Sequence, residues 1–269
     1  NKTEPALPAE DICDITYVVD TVIGNGYGGF VGENVPAENA QVFYPSQVAV
    51  DNDNNLYIAD YSNHVVRKIE KSTGIVTTIA GIPNTSTNPA GSVSHGVQAT
   101  STTLRFPADV FVRNTDLYIA DKGNHMIRRV DLLTGTIHLV AGTGVSGYSG
   151  DGGPATSAQL YKPEGVYVDQ SNNVYIADTF NFAIRKIDGA SGIIESIAGT
   201  GAPGHAIEGG PAKDNPLEWV LDVMMSPDGE LHFVEQNGYN LYRKIDKDGN
   251  ITTLSGNAGA DEIGDCNPA

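Results

Sequence analysis

The sequence contains few cysteines, few basic residues and no long apolar run. Only two of its 269 residues are cysteine and only one is tryptophan. No segment approaches the roughly 18 consecutive apolar residues of a membrane-spanning helix, so no membrane insertion is expected. Lysine and arginine total 16 against 33 acidic residues, which gives a net charge of −17 and leaves no basic stripe for phosphates. These absences argue against nucleic acid and anionic membranes as partners.

Glycine and proline, by contrast, are plentiful. The chain has 31 glycines and 14 prolines, and few long segments lack both. This composition disfavours extended helices and favours many short strands joined by turns. With 40% hydrophobic residues, the chain also has enough apolar material for a substantial core. An all-β fold is therefore expected.

An internal repeat organises these strands. The segment NLYIAD at 55–60 recurs as DLYIAD at 116–121, as NVYIAD at 173–178 and, in altered form, as ELHFVE at 230–235. In each copy an apolar segment precedes it and two strand-like segments follow, with Asn, Asp and Gly between them. Four units of four strands predict antiparallel meanders that pack face to face as a propeller. Each connector between units ends in a stretch such as ATSAQL, which predicts one helical turn.

The repeat resembles that of the NHL-repeat β-propellers, and the third unit, KPEGVYVDQSNNVYIADTFNFAIRKI at 162–187, carries the resemblance best. The family pattern runs P-x-G-V-x-V-D, N-L-Y-I-A-D, N-H-x-I-R-K and T-x-A-G, and the match covers roughly residues 17–256. The resemblance implies a propeller, while members of the family serve as protein-binding, RNA-binding or, in a few lineages, catalytic modules. The fourth unit departs from the pattern, with Val220 at the place of Pro163 and Glu235 at the place of Asp178.

One strand-like segment is left over at the N-terminal end. Residues 17–24, YVVDTVIG, match the last strands of the four units, and these five segments end in Gly24, Gly81, Gly142, Gly199 and Gly256. We therefore expect an N-terminal extension over 1–16, a four-bladed propeller over 17–256 that includes a spare N-terminal strand, and a C-terminal tail over 257–269. The spare strand could add outside the last strand of its own fourth blade or of a neighbouring molecule's blade.

The two cysteines lie near opposite ends of the chain. Cys13 precedes the spare strand, and Cys266 follows the last strand of the fourth unit. Antiparallel pairing of 17–24 with 251–256 would bring them together, so a Cys13–Cys266 disulfide and an oxidising, extracellular location are expected. Within one chain the bond would seal a monomer, and between chains it would give a head-to-tail polymer. Two unrelated buried thiols are the alternative.

Three Asn-x-Ser/Thr sequons begin at Asn1, Asn84 and Asn250. Each lies at an end or beside an expected turn, where a glycan would be tolerated. The connector over 83–103, which contains the second sequon, is rich in Ser, Thr, Asn and Gly. These features predict a secreted glycoprotein.

Two sets of charged residues recur once per unit. The carboxylates are Asp60, Asp121, Asp178 and Glu235, and the arginines are Arg67, Arg128, Arg185 and Arg243. A carboxylate near Asn at a strand end typically accepts bonds from turn amides. Its repetition in every unit favours a structural role over a metal or substrate site. The arginines are expected to pair with carboxylates or carbonyls.

Recognisable catalytic patterns are absent from the sequence. His64 and His125 occupy equivalent positions in adjacent units, where the third unit has Phe182. Two imidazoles fall short of a zinc site, and the exchange with an aromatic residue indicates packing. No Gly-x-Ser-x-Gly elbow and no nucleophile triad is recognisable. We therefore expect no cofactor and no enzymatic activity.

The function predicted from these features is structural. The expected molecule is a secreted subunit that self-assembles into fibrils, head to tail, by addition of its N-terminal strand to another copy. The alternative is a monomeric extracellular module that binds a protein or a glycan, with the disulfide sealing its ring. A lyase or hydrolase acting in the central channel is the third possibility.

Overall fold

A computed structural model describes residues 20–83, 95–236 and 240–256. The regular elements in these ranges are β-strands and short 3-10 turns, and the strands form four antiparallel sheets. The predicted all-β, four-bladed propeller is confirmed. None of the helical turns in these ranges has the length and apolar character needed to cross a membrane.

Each sheet is one blade. Blade 1 comprises β1 (Val35–Pro36), β2 (Pro45–Val50), β3 (Leu56–Asp60), β4 (Val65–Ile69) and β5 (Ile75–Ala80). Blade 2 comprises β6 (Val97–Gln98), β7 (Pro107–Arg113), β8 (Asp116–Asp121), β9 (Met126–Asp131) and β10 (Thr136–Ala141). Blade 3 comprises β11 (Gly153–Pro154), β12 (Gly165–Val168), β13 (Val174–Asp178), β14 (Ala183–Ile187) and β15 (Ile193–Ala198). Blade 4 comprises β16 (Trp219–Met225), β17 (Leu231–Gln236), β18 (Asn240–Ile245) and β19 (Ile251–Ser255).

The connector that precedes each blade also pairs with that blade's outer strand. The two-residue strands β1, β6 and β11 lie beside β5, β10 and β15, and a single bridge joins Pro211 to Asn250 in blade 4. A 3-10 turn then follows, at Ala37–Asn39, Ala99–Ser101, Ala155–Ser157 and Ala212–Asp214. Further 3-10 turns follow the second long strand of blades 1 to 3, at Tyr61–Asn63, Lys122–Asn124 and Thr179–Asn181. The helical turns in the connectors were predicted, whereas the pairing of the connectors was not.

The extra N-terminal strand predicted over 17–24 is not formed by residues 20–24, the part of it that is described. Gly24 donates its backbone N–H to the Ala37 carbonyl at 3.1 Å, as Gly81 donates to Ala99 at 3.0 Å. Residue 24 therefore occupies the place at which a blade preceding blade 1 would end. Residues 20–24 pair with no described strand, so this segment has no ladder of hydrogen bonds to hold it as a strand.

The core lies between consecutive blades. The inner strands pack in sequence, β2 on β7, β7 on β12 and β12 on β16, and no comparable packing joins β2 to β16. The equivalent valines Val110, Val166 and Val223 are 3%, 2% and 3% exposed, because each faces the preceding blade. Val48, the valine at this position in blade 1, is 52% exposed. The described blades therefore form an open arc. On the side of blade 1 that faces away from blade 2, Ile23 packs against Ile58, Ile69 and Val76, but no described blade covers Val48.

At the opposite end of the arc, no described blade covers blade 4. Ala59, Ala120 and Ala177, which face the following blade, are fully buried, whereas their blade 4 equivalent, Val234, is 37% exposed. Met224 and Leu254 on the same side of blade 4 are 52% and 44% exposed. We call the surface containing Val48 and Val50 the first face, and the surface containing Met224, Val234 and Leu254 the last face.

Candidate functional site

The repeated carboxylate of blade 2 belongs to a closed network. Asp121 Oδ1 accepts the backbone N–H of Arg105 at 2.8 Å. Its Oδ2 accepts the Asn124 side-chain amide at 2.8 Å and the Arg128 Nε at 3.1 Å. Asp121, Asn124 and Arg128 are all buried. Burial raises the pKa of Asp121, and the charge of Arg128 opposes that shift. The carboxylate is thus fully occupied by groups of its own blade.

The other three blades repeat the backbone contact of this network, and blades 3 and 4 also repeat the contact between arginine and carboxylate. The carboxylates of Asp60, Asp178 and Glu235 accept the backbone N–H groups of Phe43, Tyr161 and Glu218 at 2.8, 2.7 and 2.9 Å, respectively. Burial raises the pKa of Asp178 to about 6, so this carboxylate is ionised at neutral pH beside Arg185. The arginines also reach acidic residues in the connectors, in the pairs Arg67–Glu33, Arg185–Asp151 and Arg243–Glu208. The four carboxylates therefore lie in four separate networks, and their structural role stays a prediction.

The two equivalent histidines also lie in separate places. His64 Nδ1 accepts the backbone N–H of Phe106 at 3.0 Å, and His125 Nδ1 accepts that of Lys162 at 3.0 Å. Each histidine thus bonds to the next blade rather than to the other histidine. Throughout residues 20–83, 95–236 and 240–256, no group of three or more His, Cys, Asp or Glu side chains has an arrangement suited to a metal ion.

A pair of acidic residues on the inner strands was missed by the sequence analysis. Asp109 of β7 and Asp222 of β16 occupy equivalent positions, and Gly165 of β12 occupies that position between them. Asp109 Oδ2 accepts the backbone N–H of Val166 at 2.7 Å, across the boundary between blades 2 and 3. Burial, followed by the charge of Asp222, raises the pKa of Asp109 to about 7. The sequence signal for this pair was an aspartate directly before the equivalent valines Val110 and Val223, which occurs in just two blades.

A second missed feature is a cleft that joins blades 1, 2 and 3. It has a volume of about 360 Å³ and is lined by cationic and aromatic side chains, among them Tyr61, Arg105, Phe106, Lys162 and Phe180. The residues come from turns and connectors of three blades, so no local sequence pattern unites them.

The predicted covalent modifications lie mostly beyond the described ranges. Cys13, Cys266, Asn1 and Asn84 are outside them. Asn250 lies just before β19, is partly exposed and donates its backbone N–H to Asp246 Oδ1 at 2.9 Å. The disulfide and the glycosylation of the three sequons therefore stay predictions.

Four-stranded meanders with the same carboxylate, arginine and glycine positions in successive blades define a β-propeller of the NHL type. The family model of the teneurin NHL domain matches residues 28–146 and 114–206, and the chain belongs to this family. Human teneurin-1 is 29% identical over 235 residues, which cover 82% of this chain. The chain spans only 8% of the length of teneurin-1.

Solved structures show the same fold at low sequence identity. A Bacteroides thetaiotaomicron protein of unknown function superposes with a TM-score of 0.58 and 20% identity, over 78% of this chain and 47% of that one. A streptogramin B lyase gives a TM-score of 0.51 and 14% identity, over 80% of this chain and 56% of the lyase. At these identities the likeness concerns the fold alone.

Proposed function

We propose that this chain is a non-enzymatic, extracellular propeller module that assembles head to tail with further copies of itself. In this assembly the first face of one copy docks on the last face of another. The observation that carries the proposal is the 52% exposure of Val48, compared with 2% or 3% for the equivalent valines of the other three blades. An apolar residue that the repeat otherwise buries is thereby left at the end of the arc.

The two exposed faces are the two halves of an interface that recurs within the chain. Val110 of blade 2 packs in one cluster with Ala59 of blade 1. Val48 is the equivalent of Val110, and Val234 is the equivalent of Ala59. A second copy therefore offers each face a surface of the type that it contacts elsewhere in the arc. Because the two halves differ, the contact is heterologous and repeats from copy to copy.

The contacts of β19 limit the part that strand addition can play. Ile251 donates its backbone N–H to Gly210 at 2.9 Å, and Thr253 donates its own to Glu208 Oε1 at 2.7 Å. The connector thus occupies part of the edge to which residues 17–24 were predicted to add. We place the main contact on the blade faces, with the N-terminal strand and a Cys13–Cys266 disulfide as additional clamps between copies.

Membership in the teneurin NHL domain family supports the extracellular and non-enzymatic parts of this proposal. The hydrogen-bond networks around the repeated carboxylates also support the non-enzymatic part, since residues of their own blades bind these carboxylates. Secretion, glycosylation and fibril formation are further parts of the proposal. The alternative is a monomeric module that binds an extracellular protein or glycan.

Sedimentation velocity over a range of protein concentrations, with a reducing and a non-reducing gel, tests the assembly. Wild-type protein should sediment faster as its concentration rises, and a disulfide between copies should give a ladder that collapses on reduction. Val48→Asp and Val234→Asp should each stop growth, because each places a charge in an apolar contact. Val145→Asp is the control, since Val145 is 59% exposed and lies in a connector.

Mixing the two charged variants distinguishes head-to-tail assembly from other contacts. Val48→Asp retains an intact last face and Val234→Asp retains an intact first face, so the mixture should form a dimer that neither variant forms alone. A wild-type protein that stays monomeric at all concentrations would contradict the proposal and favour the monomeric alternative. Growth that persists in both variants, or a mixture without dimers, would also contradict it.

A further inference from the structure

The cleft between blades 1, 2 and 3 concentrates positive charge in an acidic protein. The whole chain has 16 basic residues and a net charge of −17, yet Arg105, Lys122 and Lys162 all line this cleft. Lys122 is paired with Glu164 at 2.7 Å. Arg105 and Lys162 have no carboxylate within ion-pair distance in the part of the chain that is described. Two cations therefore remain available to an anion.

Burial and then the positive charge of the cleft lower the pKa of the two neighbouring histidines, His64 and His125. Burial lowers the pKa of His64, and Arg105 lowers it further. Burial also lowers the pKa of His125, with Lys162 and then Arg105 as the next causes. Both imidazoles are consequently neutral at physiological pH.

His125 adds a neutral hydrogen-bond donor. Its Nδ1 accepts the backbone N–H of Lys162 at 3.0 Å, so the proton of the neutral ring is on Nε2. His125 is partly exposed and lines the cleft. The guanidinium of Arg105 and the ammonium of Lys162 also line the cleft, and these groups can donate hydrogen bonds but cannot accept them. Arg105, Lys162 and His125 thus suit a ligand that presents oxygen acceptors.

Aromatic rings supply flat apolar surfaces beside these donors. The rings of Tyr61 and Phe106 lie 5.1 Å apart with an angle of 37° between their planes. The Lys162 Nζ lies 4.2 Å from the centre of the Phe180 ring. The cleft therefore combines a carboxylate-binding set of cations with surfaces against which the C–H groups of a ring can pack.

The backbone holds this arrangement in a sparsely populated conformation. Phe106 and Lys162 have φ angles of 49° and 50°, in the left-handed region that bulky residues seldom adopt. Their backbone N–H groups are fixed by His64 and His125, respectively. Tyr44, the equivalent residue of blade 1, has a φ of 50° as well, so this conformation belongs to the repeat and fixes the positions of the cleft residues.

We propose that this cleft binds an acidic sugar, with the sugar carboxylate on Arg105, Lys162 and His125 and the pyranose ring against Tyr61 and Phe106. The volume of about 360 Å³ suits one or two sugar rings. An extended acidic peptide fits less well, because peptides typically add to a strand edge and this cleft is walled by side chains from turns and connectors. The site lies within blades 1 to 3, so its occupation is independent of head-to-tail assembly.

Isothermal titration of the full chain with defined sugars tests this proposal. N-acetylneuraminic acid and glucuronic acid are the probes, the methyl ester of N-acetylneuraminic acid and glucose are the uncharged counterparts, and sodium acetate is the anion without a ring. At least one acidic sugar should bind with a dissociation constant of about 1 mM or tighter. The uncharged counterparts and acetate should bind at least about tenfold more weakly.

Variants then assign the binding to the cleft. Arg105→Ala and Lys162→Gln should each weaken binding at least about tenfold, because each removes a charged donor. Lys247→Ala, at an exposed residue in a turn of blade 4, is the charge-matched control and should leave binding unchanged. Circular dichroism and thermal melting identify any variant that is misfolded. If Arg105→Ala is misfolded, Arg105→Lys replaces it. Arg105→Lys keeps the charge and should weaken binding less than about tenfold.

The proposal would be overturned if the wild-type chain bound neither acidic sugar, or if the methyl ester or acetate bound as tightly as the acid. Equal losses in the Lys247→Ala control would overturn it as well. Binding that survives both Arg105→Ala and Lys162→Gln would place the sugar elsewhere and would equally refute this site.

Discussion

Arg128 donates through Nε to Asp121 Oδ2 at 3.1 Å, and both side chains are fully buried. Their charges are therefore removed from water together, and each depends on the other for compensation. Arg129, the next residue along β9, pairs instead with Asp116 at 3.3 Å near the surface, where the arginine side chain is 37% exposed. Adjacent arginines thus make the same chemical contact in two different environments.

Replacing the buried arginine should destabilise the fold far more than replacing its neighbour. Arg128→Met leaves Asp121 buried without its counter-charge, which should cost about 3–5 kcal/mol of unfolding free energy. Arg129→Met removes a solvent-screened pair and should cost about 0–1 kcal/mol. Urea unfolding followed by circular dichroism measures both. Equal losses in the two variants would show that the repeated buried pair does not have the structural role predicted for it.

The glycines that end each outer strand provide a second test. Gly142 has a φ of 95°, and a Cβ at this position would overlap the carbonyl oxygen of His125. Gly152 has a φ of 77° but open space where its Cβ would lie. Gly152→Ala should therefore cost about 1 kcal/mol for the left-handed backbone, whereas Gly142→Ala should cost about 2–4 kcal/mol because the blade must also move. Thermal unfolding of the two variants compares them, and a larger loss at Gly152 would refute this account.

The blades could be predicted from the sequence because their determinants are local. The segments around NLYIAD at 55–60 and DLYIAD at 116–121 encode strands and turns over a few residues, and their repetition reveals the propeller. The resemblance of this repeat to the NHL family independently implies the same propeller. The helical turns at the ends of the connectors were predicted from equally short stretches.

The interactions between blades could not be predicted in this way. Arg105 and Lys162 belong to different connectors and share no motif, so only the folded chain brings them to one cleft. The exposure of Val48 depends on which blade lies beside it, and its own sequence context matches that of the buried Val110. The predicted spare strand had the composition of a strand, but residues 20–24 pair with no described strand, and Ile23 instead packs against Ile58.

The acidic pair on the inner strands should make stability fall as the pH rises. Burial and the charge of Asp222 raise the pKa of Asp109 to about 7, above an unfolded value near 4. Between these two values the folded chain binds more protons than the unfolded chain. The contribution of Asp109 is therefore fully present below about pH 4 and is lost as the pH rises towards 7, with a slope of up to about 1.4 kcal/mol per pH unit.

Asp222→Asn should reduce this slope. The variant removes the negative charge that raises the pKa of Asp109, and its side-chain oxygen can still accept the backbone N–H of Val223, which Asp222 accepts at 2.8 Å. Relative to wild type, Asp222→Asn should thus gain stability between pH 4 and pH 7 in urea unfolding. Asp248→Asn, at an exposed turn residue, makes the same change in charge and should give no such pH-dependent gain. Other titrating groups, including the neutral histidines, are common to all three proteins and cancel in the comparison. A difference between Asp222→Asn and wild type that stays constant with pH, or that grows as the pH falls, would show that the two carboxylates do not interact.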